Sequence, residues 1–346
     1  MNFLFLSAVC FLVSLGVGFF MIKAAFRLNL LDIPGVRSSH RTPTPTMGGV
    51  AIVVAFFLGT ILARFSSAHW DALGWLGWLA AGAGLVAVVG IIDDFQRLPV
   101  LLRLFLYGVA AGMGVAGGIR LRVIDIPLLG MIKFGIFEIP ITILWILAVV
   151  SFYNFMDGID GLAAGVGVIV TAFLAYIAWE VGNSDILILS LLLGSSCLGF
   201  ACYNFPPAKI FMGDVGSTFM GYILAVVALM GNQSKEPGHI PFLVPVLLLG
   251  TFLFDTTVTL GRRILRREKW YLSHREHYYQ KMTNLGFSHL QITIGEYSLT
   301  FLLGLSALLY IRADQMLAFP ILVVWLILLA SLIKLITSLE KRTTRD

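Results

Sequence analysis

Five aspartates and one asparagine lie where apolar runs break. Asp93 and Asp94 follow the run Leu85 to Ile92 directly. Asn154, Asp157 and Asp160 fall in Asn154-Phe-Met-Asp157-Gly-Ile-Asp160-Gly161-Leu162, and Asp214 in Phe205-Pro-Pro-Ala-Lys209-Ile-Phe-Met-Gly213-Asp214-Val-Gly216-Ser217. An adjacent acid pair beside an apolar run is costly unless a cation or a shared proton relieves it. Carboxylate and amide oxygens open to water and phosphate suit Mg²⁺, which keeps several waters and takes only one or two protein carboxylates. A spacing of three places Asn154 and Asp157 on one side of a helical turn, and the glycines allow close backbone approach. Asp214, between glycines at the start of an apolar run, is a candidate metal ligand, and the amides of a helix start there can hold an anion. Taken singly, each acid is equally well a turn or cap residue. The set, in three special contexts, points to a site.

Basic residues supply a counterpart. Pro34-Gly-Val-Arg37-Ser-Ser-His40-Arg41-Thr-Pro-Thr-Pro-Thr46-Met-Gly48-Gly49 carries two arginines and a histidine, and His274-Arg275-Glu276-His277-Tyr278-Tyr279-Gln280-Lys281 adds more. Arginine and lysine bind phosphate, and histidine adds a donor that titrates. Arg262, Arg263, Arg266 and Arg267 read better as topological anchors. His274 and His277, three apart and expected on one helical face, are not required by topology.

The elements that must position these groups are membrane helices. Of 346 residues 58% are hydrophobic and 12% charged, far from the balance of a soluble globule. Runs of roughly 17 to 24 apolar residues, enough to cross a core of about 30 Å, predict an all-α polytopic integral membrane protein. We place about eleven transmembrane helices, at residues 2–22, 47–64, 73–92, 100–118, 138–153, 160–179, 186–203, 217–231, 240–261, 292–311 and 316–338, in a single transmembrane catalytic domain, 1–346. Phe3 to Ile22 lacks a basic lead and a small-residue cleavage site, so it reads as a retained span. With the N-terminus outside, 18 of the 24 lysines and arginines fall on the cytoplasmic side and 6 on the other, which also puts the C-terminus inside. All three acidic turns are then cytoplasmic. The net charge of +5 is a basic membrane face, suited to anionic headgroups or a phosphorylated substrate, rather than a nucleic-acid footprint. Cys10, Cys197 and Cys202 lie in apolar spans without ligand spacing and read as packing residues.

A lipid-borne phosphate and a water-soluble diphosphate could meet at such a face, where the protein's work is positioning and charge neutralisation. The residues resemble the polyprenyl-phosphate N-acetylhexosamine-1-phosphate transferase family, from Asp32 to about His289. The resemblance is carried by Thr44-Pro-Thr-Met-Gly48-Gly49, Asp93-Asp94, Asn154 to Leu162, Pro207 to Ser217 and the long-loop histidines. It implies transfer of an N-acetylated sugar-1-phosphate from a UDP-sugar to undecaprenyl phosphate with Mg²⁺, Mn²⁺ being an alternative, at the cytoplasmic face of a bacterial inner membrane. Carried over by position, Asp214 and Asn154 are the expected metal ligands and Asp93 the candidate base, with Asp94 beside it. Asp157 and Asp160 line the same cleft, and Arg41, Arg97, Lys209, His274, Arg275 and His277 face the phosphates. Direct attack by the lipid phosphate and a route through a carboxylate-phosphate intermediate both stay open. Relatives with a compact cluster of three histidines differ here, since His277-Tyr278-Tyr279-Gln280 stands in that place. This points away from the peptidoglycan precursor and toward the branch that begins O-antigen synthesis, with UDP-N-acetylfucosamine, UDP-N-acetylquinovosamine or UDP-N-acetylglucosamine as donor. Membrane lipids are expected partners, and a second copy of the chain is compatible. A multi-span transporter is the competing class, but such proteins place ionisable groups near the midplane within repeated halves, and no repeat is visible.

Overall fold

The computed structural model describes residues 3–33, 43–66, 74–234, 237–269 and 275–343. Arg41 and His274, both expected at the phosphates, lie outside them.

Thirteen α-helices run through the described residues: α1 (Phe3–Leu28), α2 (Val50–Ser66), α3 (Trp75–Gln96), α4 (Val100–Ala116), α5 (Glu138–Phe155), α6 (Leu162–Val181), α7 (Ser184–Asn204), α8 (Gly213–Gln233), α9 (Leu243–Leu248), α10 (Gly250–Leu265), α11 (Tyr278–Asn284), α12 (His289–Arg312) and α13 (Gln315–Thr343). Among the described residues eight helical segments are long and apolar enough to cross a bilayer, and α2 and α4 are shorter apolar helices. Each apolar run of the sequence corresponds to helix, with two differences. The ninth run breaks at Leu249 into α9 and α10. Its second half carries Thr251, Asp255, Thr256 and Thr259 on a buried face, a polar stripe that an average over the run conceals. The loop 119–137 holds a short hairpin, β3 (Val123–Ile126) against β4 (Gly130–Lys133), and a second two-stranded pair joins β1 (Leu31–Asp32) to β2 (Thr44–Pro45). Cys10 and Cys197 are buried as expected, whereas Cys202 is exposed on the outer face of α7.

The bundle is organised around α8, which packs against α3 and α5 and also touches α2 and α7. It is buried along nearly its whole length from Val215 to Gly231. Without a hydrophobic drive between helices in lipid, such a centre depends on small residues that let backbones approach. A Cβ added to Gly90 of α3 would lie 2.5 Å from Val215 Cα, and one added to Gly49, at the start of α2, would collide with Gly216. These contacts converge on the first turn of α8. The C-terminal ends of α3, α5 and α7 and the N-terminal ends of α4, α6 and α8 meet at that same end of the bundle, because each pair is joined by a short turn.

Gly90→Ala is expected to lower stability by about 1–3 kcal/mol, the ordinary cost of overpacking, read as a fall in melting temperature of detergent-purified protein. Gly84→Ala on the same helix, where an added Cβ meets nothing within 4 Å, should leave it unchanged. Equal melting temperatures for the two variants would contradict this packing.

Candidate active site

Three sequence motifs are knitted together by backbone hydrogen bonds before any side chain contributes. Phe211 N donates to Pro45 O (2.8 Å), Gly48 N to Phe211 O (2.9 Å) and Gly49 N to Met212 O (2.8 Å), which docks the 44–49 segment on the approach to α8. Asn204 joins this approach to the turn before α6, accepting from Gly161 N and donating to Ile210 O. Buried backbone groups need such partners, so the short turns are fixed rather than free.

At the start of α8 the expected anion site is filled by the chain itself. Asp94 Oδ1 accepts from Asp214 N (2.8 Å) and Asp94 Oδ2 from Val215 N (3.2 Å). These are the first amides of the helix, where a negative charge is favoured. Asp94 therefore acts as a cap supplied from another helix. The α3 helix runs through both acids to Gln96, four residues beyond the predicted end, and stops where Arg97 takes a left-handed conformation (φ 48°) ahead of Pro99. Asp214 likewise lies in the first turn of α8 rather than in a preceding loop.

Asp93, Asn154 and Asp214 come together. Asn154 Nδ2 donates to Asp214 Oδ1 (2.9 Å) and to Ser217 Oγ (2.9 Å). Asp93 Oδ1 accepts from Leu98 N. The remaining oxygens, Asp93 Oδ2 and Asp214 Oδ2, both accept from Nη1 of Arg103, the latter at 2.9 Å. Sequence reasoning counted Arg103 only as one of the cytoplasmic positive charges. Its placement three residues into an apolar span was the available signal, since a charge there needs a partner.

The other predicted residues divide. Asp157 is partly exposed, and among the described residues nothing hydrogen-bonds its carboxylate. Burial, with the charge of Asp94, pushes it up from 3.8 to about 7. It lies beyond the end of α5, so it shares a turn, not a helical face, with Asn154: Asp157 N donates to Asn154 O. Asp160 is taken up structurally: Oδ2 accepts from Ala208 N (3.0 Å), Oδ1 lies 3.2 Å from His289 Nδ1, and its carbonyl accepts from Thr293. Arg97 and Lys209 are exposed at this end, and Arg275 is half-buried.

His277 is not on a helix surface. It caps α11 in extended conformation, is buried, and its Nδ1 lies 3.0 Å from Asp255 Oδ1. Asp255 Oδ2 accepts from Tyr278 N (2.8 Å). A carboxylate on Nδ1 fixes the tautomer and the ring orientation. Tyr279 docks the same segment on the acidic turn, its hydroxyl donating to Phe155 O (3.0 Å) in the space left by Gly158, where a Cβ would collide with it. Burial, with the charges of Asp255 and Asp157, raises the Tyr279 hydroxyl well above its usual range. Asp255 was missed by sequence reading, although an acid in Phe252-Leu-Phe-Asp255-Thr-Thr is a buried charge that calls for a partner.

Comparison with known proteins now decides the family. The glycosyl transferase family 4 model matches residues 75–232. The chain is 33% identical over 288 residues to a protein of Bacillus subtilis named as a probable undecaprenyl-phosphate N-acetylglucosaminyl 1-phosphate transferase, covering 83% of this chain and 78% of the relative. It is 31% identical over 297 residues to the decaprenyl-phosphate N-acetylglucosaminephosphotransferase of Mycobacterium leprae, covering 78% and 74%. It is 32% identical over 261 residues to the phospho-N-acetylmuramoyl-pentapeptide-transferase of Chlorobaculum parvum, covering 65% and 67%. The chain belongs to the polyprenyl-phosphate N-acetylhexosamine-1-phosphate transferase family. It is a phosphotransferase embedded in a membrane.

Two outcomes are expected from this site. Because the Asp157 carboxyl is raised from 3.8 to about 7, the folded state holds a proton that the unfolded chain has lost, and stability falls as pH rises through that window. In metal-free protein, Asp157→Asn should therefore melt higher than wild type by a margin that grows from about pH 4 to about pH 7; a pH-independent margin would refute the raised carboxyl. Asp255→Asn should slow the transferase by roughly 10- to 100-fold, as loss of an orienting partner does. It should add little to the loss in His277→Ala, and additive losses in a double-mutant cycle would separate the two residues.

Proposed function

We propose that this transferase moves an N-acetylhexosamine-1-phosphate from a UDP-sugar to undecaprenyl phosphate, releasing UMP, at the cytoplasmic face of a bacterial inner membrane. The observation that carries the reading is the meeting of Asp93 and Asp214 on one cation, with Asn154 bonded to Asp214, in a chain whose relatives are named as undecaprenyl- and decaprenyl-phosphate N-acetylglucosamine phosphotransferases. The distribution of lysine and arginine supports a cytoplasmic active site and an extracytoplasmic N-terminus.

Among the described residues no three histidines, cysteines or acids converge as a metal cage. Mg²⁺ does not need one, since one or two carboxylates with water and substrate phosphate satisfy it. The donor set fits: two carboxylate oxygens from different helices already aim at one positive group, and the Asn154 side-chain oxygen is left over when its amide nitrogen is engaged. Asp93, Asp214 and Asn154 would hold the ion. When bound, it would withdraw charge from the diphosphate oxygens.

The chain's own residues supply the rest. Asp93 is oriented by Leu98 N at the end of the bundle where the lipid phosphate would enter. Arg97 and Lys209, exposed at the same end, offer cations to the entering diphosphate. His277, held at Nδ1 by Asp255, keeps its other ring nitrogen, Nε2, for a substrate contact, and Arg275 is two residues away along the chain. Asp94 and Asp160 keep the acidic turns in place. For the donor, the relatives' names favour UDP-N-acetylglucosamine, while the His277-Tyr-Tyr-Gln280 pattern favours a 6-deoxy sugar. The product would start a cell-envelope polysaccharide such as O-antigen.

Purified protein given labelled UDP-N-acetylhexosamines, Mg²⁺ and undecaprenyl phosphate should yield a butanol-soluble sugar lipid and one UMP per sugar transferred. Asp214→Asn should fall below roughly a tenth of wild-type turnover at every Mg²⁺ concentration. Turnover without UMP release, or an Asp214→Asn enzyme of ordinary rate, would remove the reading.

A further inference from the structure

We propose that Arg103 is a resident counter-ion of the metal site: in the metal-free protein its guanidinium occupies the cation position between Asp93 and Asp214, and a divalent ion enters by displacing it. This rests on the reading of Asp93 and Asp214 as metal ligands.

The division of the carboxylate oxygens carries the inference. Each acid has one oxygen held by the chain, Asp93 Oδ1 by Leu98 N and Asp214 Oδ1 by Asn154 Nδ2. Each gives its other oxygen, Oδ2, to one and the same nitrogen, Arg103 Nη1. Removing the guanidinium would leave both acids aimed as they are, because neither depends on it for orientation. Leaving the position between these two acids empty, one of them 6% exposed, is unfavourable, and a cation there relieves the repulsion.

The arginine itself is poorly settled. Its Nε is buried with no hydrogen-bond partner among the described residues, a cost that only the ion pairs offset. It extends from the first turns of α4, the end of a helix where a positive charge is disfavoured. Its side chain is 22% exposed, which gives the guanidinium a way out of the cleft. A long, flexible side chain with one unsatisfied nitrogen, in an unfavourable helix field, is a suitable occupant for a place that another cation takes. The exchange replaces one positive charge by two, and so neutralises the acid pair that Arg103 leaves half-compensated.

The test uses the full chain in detergent and Mn²⁺ binding measured by calorimetry, with melting temperature as a second readout. Arg103→Met is expected to bind Mn²⁺ roughly tenfold tighter than wild type, because a site that is occupied by its own competitor nine-tenths of the time loses that factor in apparent affinity. Without metal it should melt below wild type, and saturating Mn²⁺ should close that gap. Arg103→Lys, whose ammonium ends one bond short of the place that Nη1 holds, should show tightening of smaller size and decides the matter should the methionine variant fail to fold. Unchanged or weaker Mn²⁺ binding by the variants, against a wild type that binds, overturns the exchange and leaves the metal site standing. A wild type that takes up no divalent ion overturns both.

Discussion

The first turn of α8 is the place on which the rest depends, because three like-charged side chains must be held there in an apolar bundle. Their mutual repulsion is offset by groups of fixed direction: the amides of Asp214 and Val215 for Asp94, Leu98 N for Asp93, and Asn154 for Asp214. Fixed dipoles keep their orientation when charge changes nearby, so the acids stay aimed. The amides reach Asp94 only because α3 and α2 approach α8 through glycine. Packing and electrostatics at this turn are therefore one constraint.

A second layer brings in the segment from Arg275 to Gln280. Nothing in its own helix, α11, is long enough to place it. Its anchors lie on other elements: Asp255 on α10 takes the His277 ring and the Tyr278 amide, and Phe155 O takes the Tyr279 hydroxyl. Beyond the break at Leu249, α10 carries its buried polar face and packs against α5, α12 and α13. The acid that fixes the histidine thus also holds the backbone beside it, so the segment is docked as a unit.

Much of this was legible in the sequence. Apolar runs of membrane-crossing length mark helices whatever their neighbours are, since a backbone in lipid must satisfy its own hydrogen bonds. The acids stood out because a carboxylate beside such a run is expensive, and short turns could place them at one end. What was not legible shares a cause. Asp94 and Asp160 stood out as acids at the turns, but not the contact that each makes with a segment more than forty residues away, Asp214 N and Ala208 N respectively. The histidines read as a helical pair, but His277 precedes α11 in extended conformation, which spacing along the chain does not reveal.

Sequence alone determined the class of element and which acids stand at the ends of the apolar runs, because hydropathy, charge and local turn chemistry act over a few residues. Tertiary structure decided which carboxylate caps a helix and which faces a cation, that Arg103 stands between Asp93 and Asp214, and that Asp255 orients His277. Those choices depend on distances between groups far apart along the chain, and a hydrogen bond is made or lost over a few tenths of an ångström.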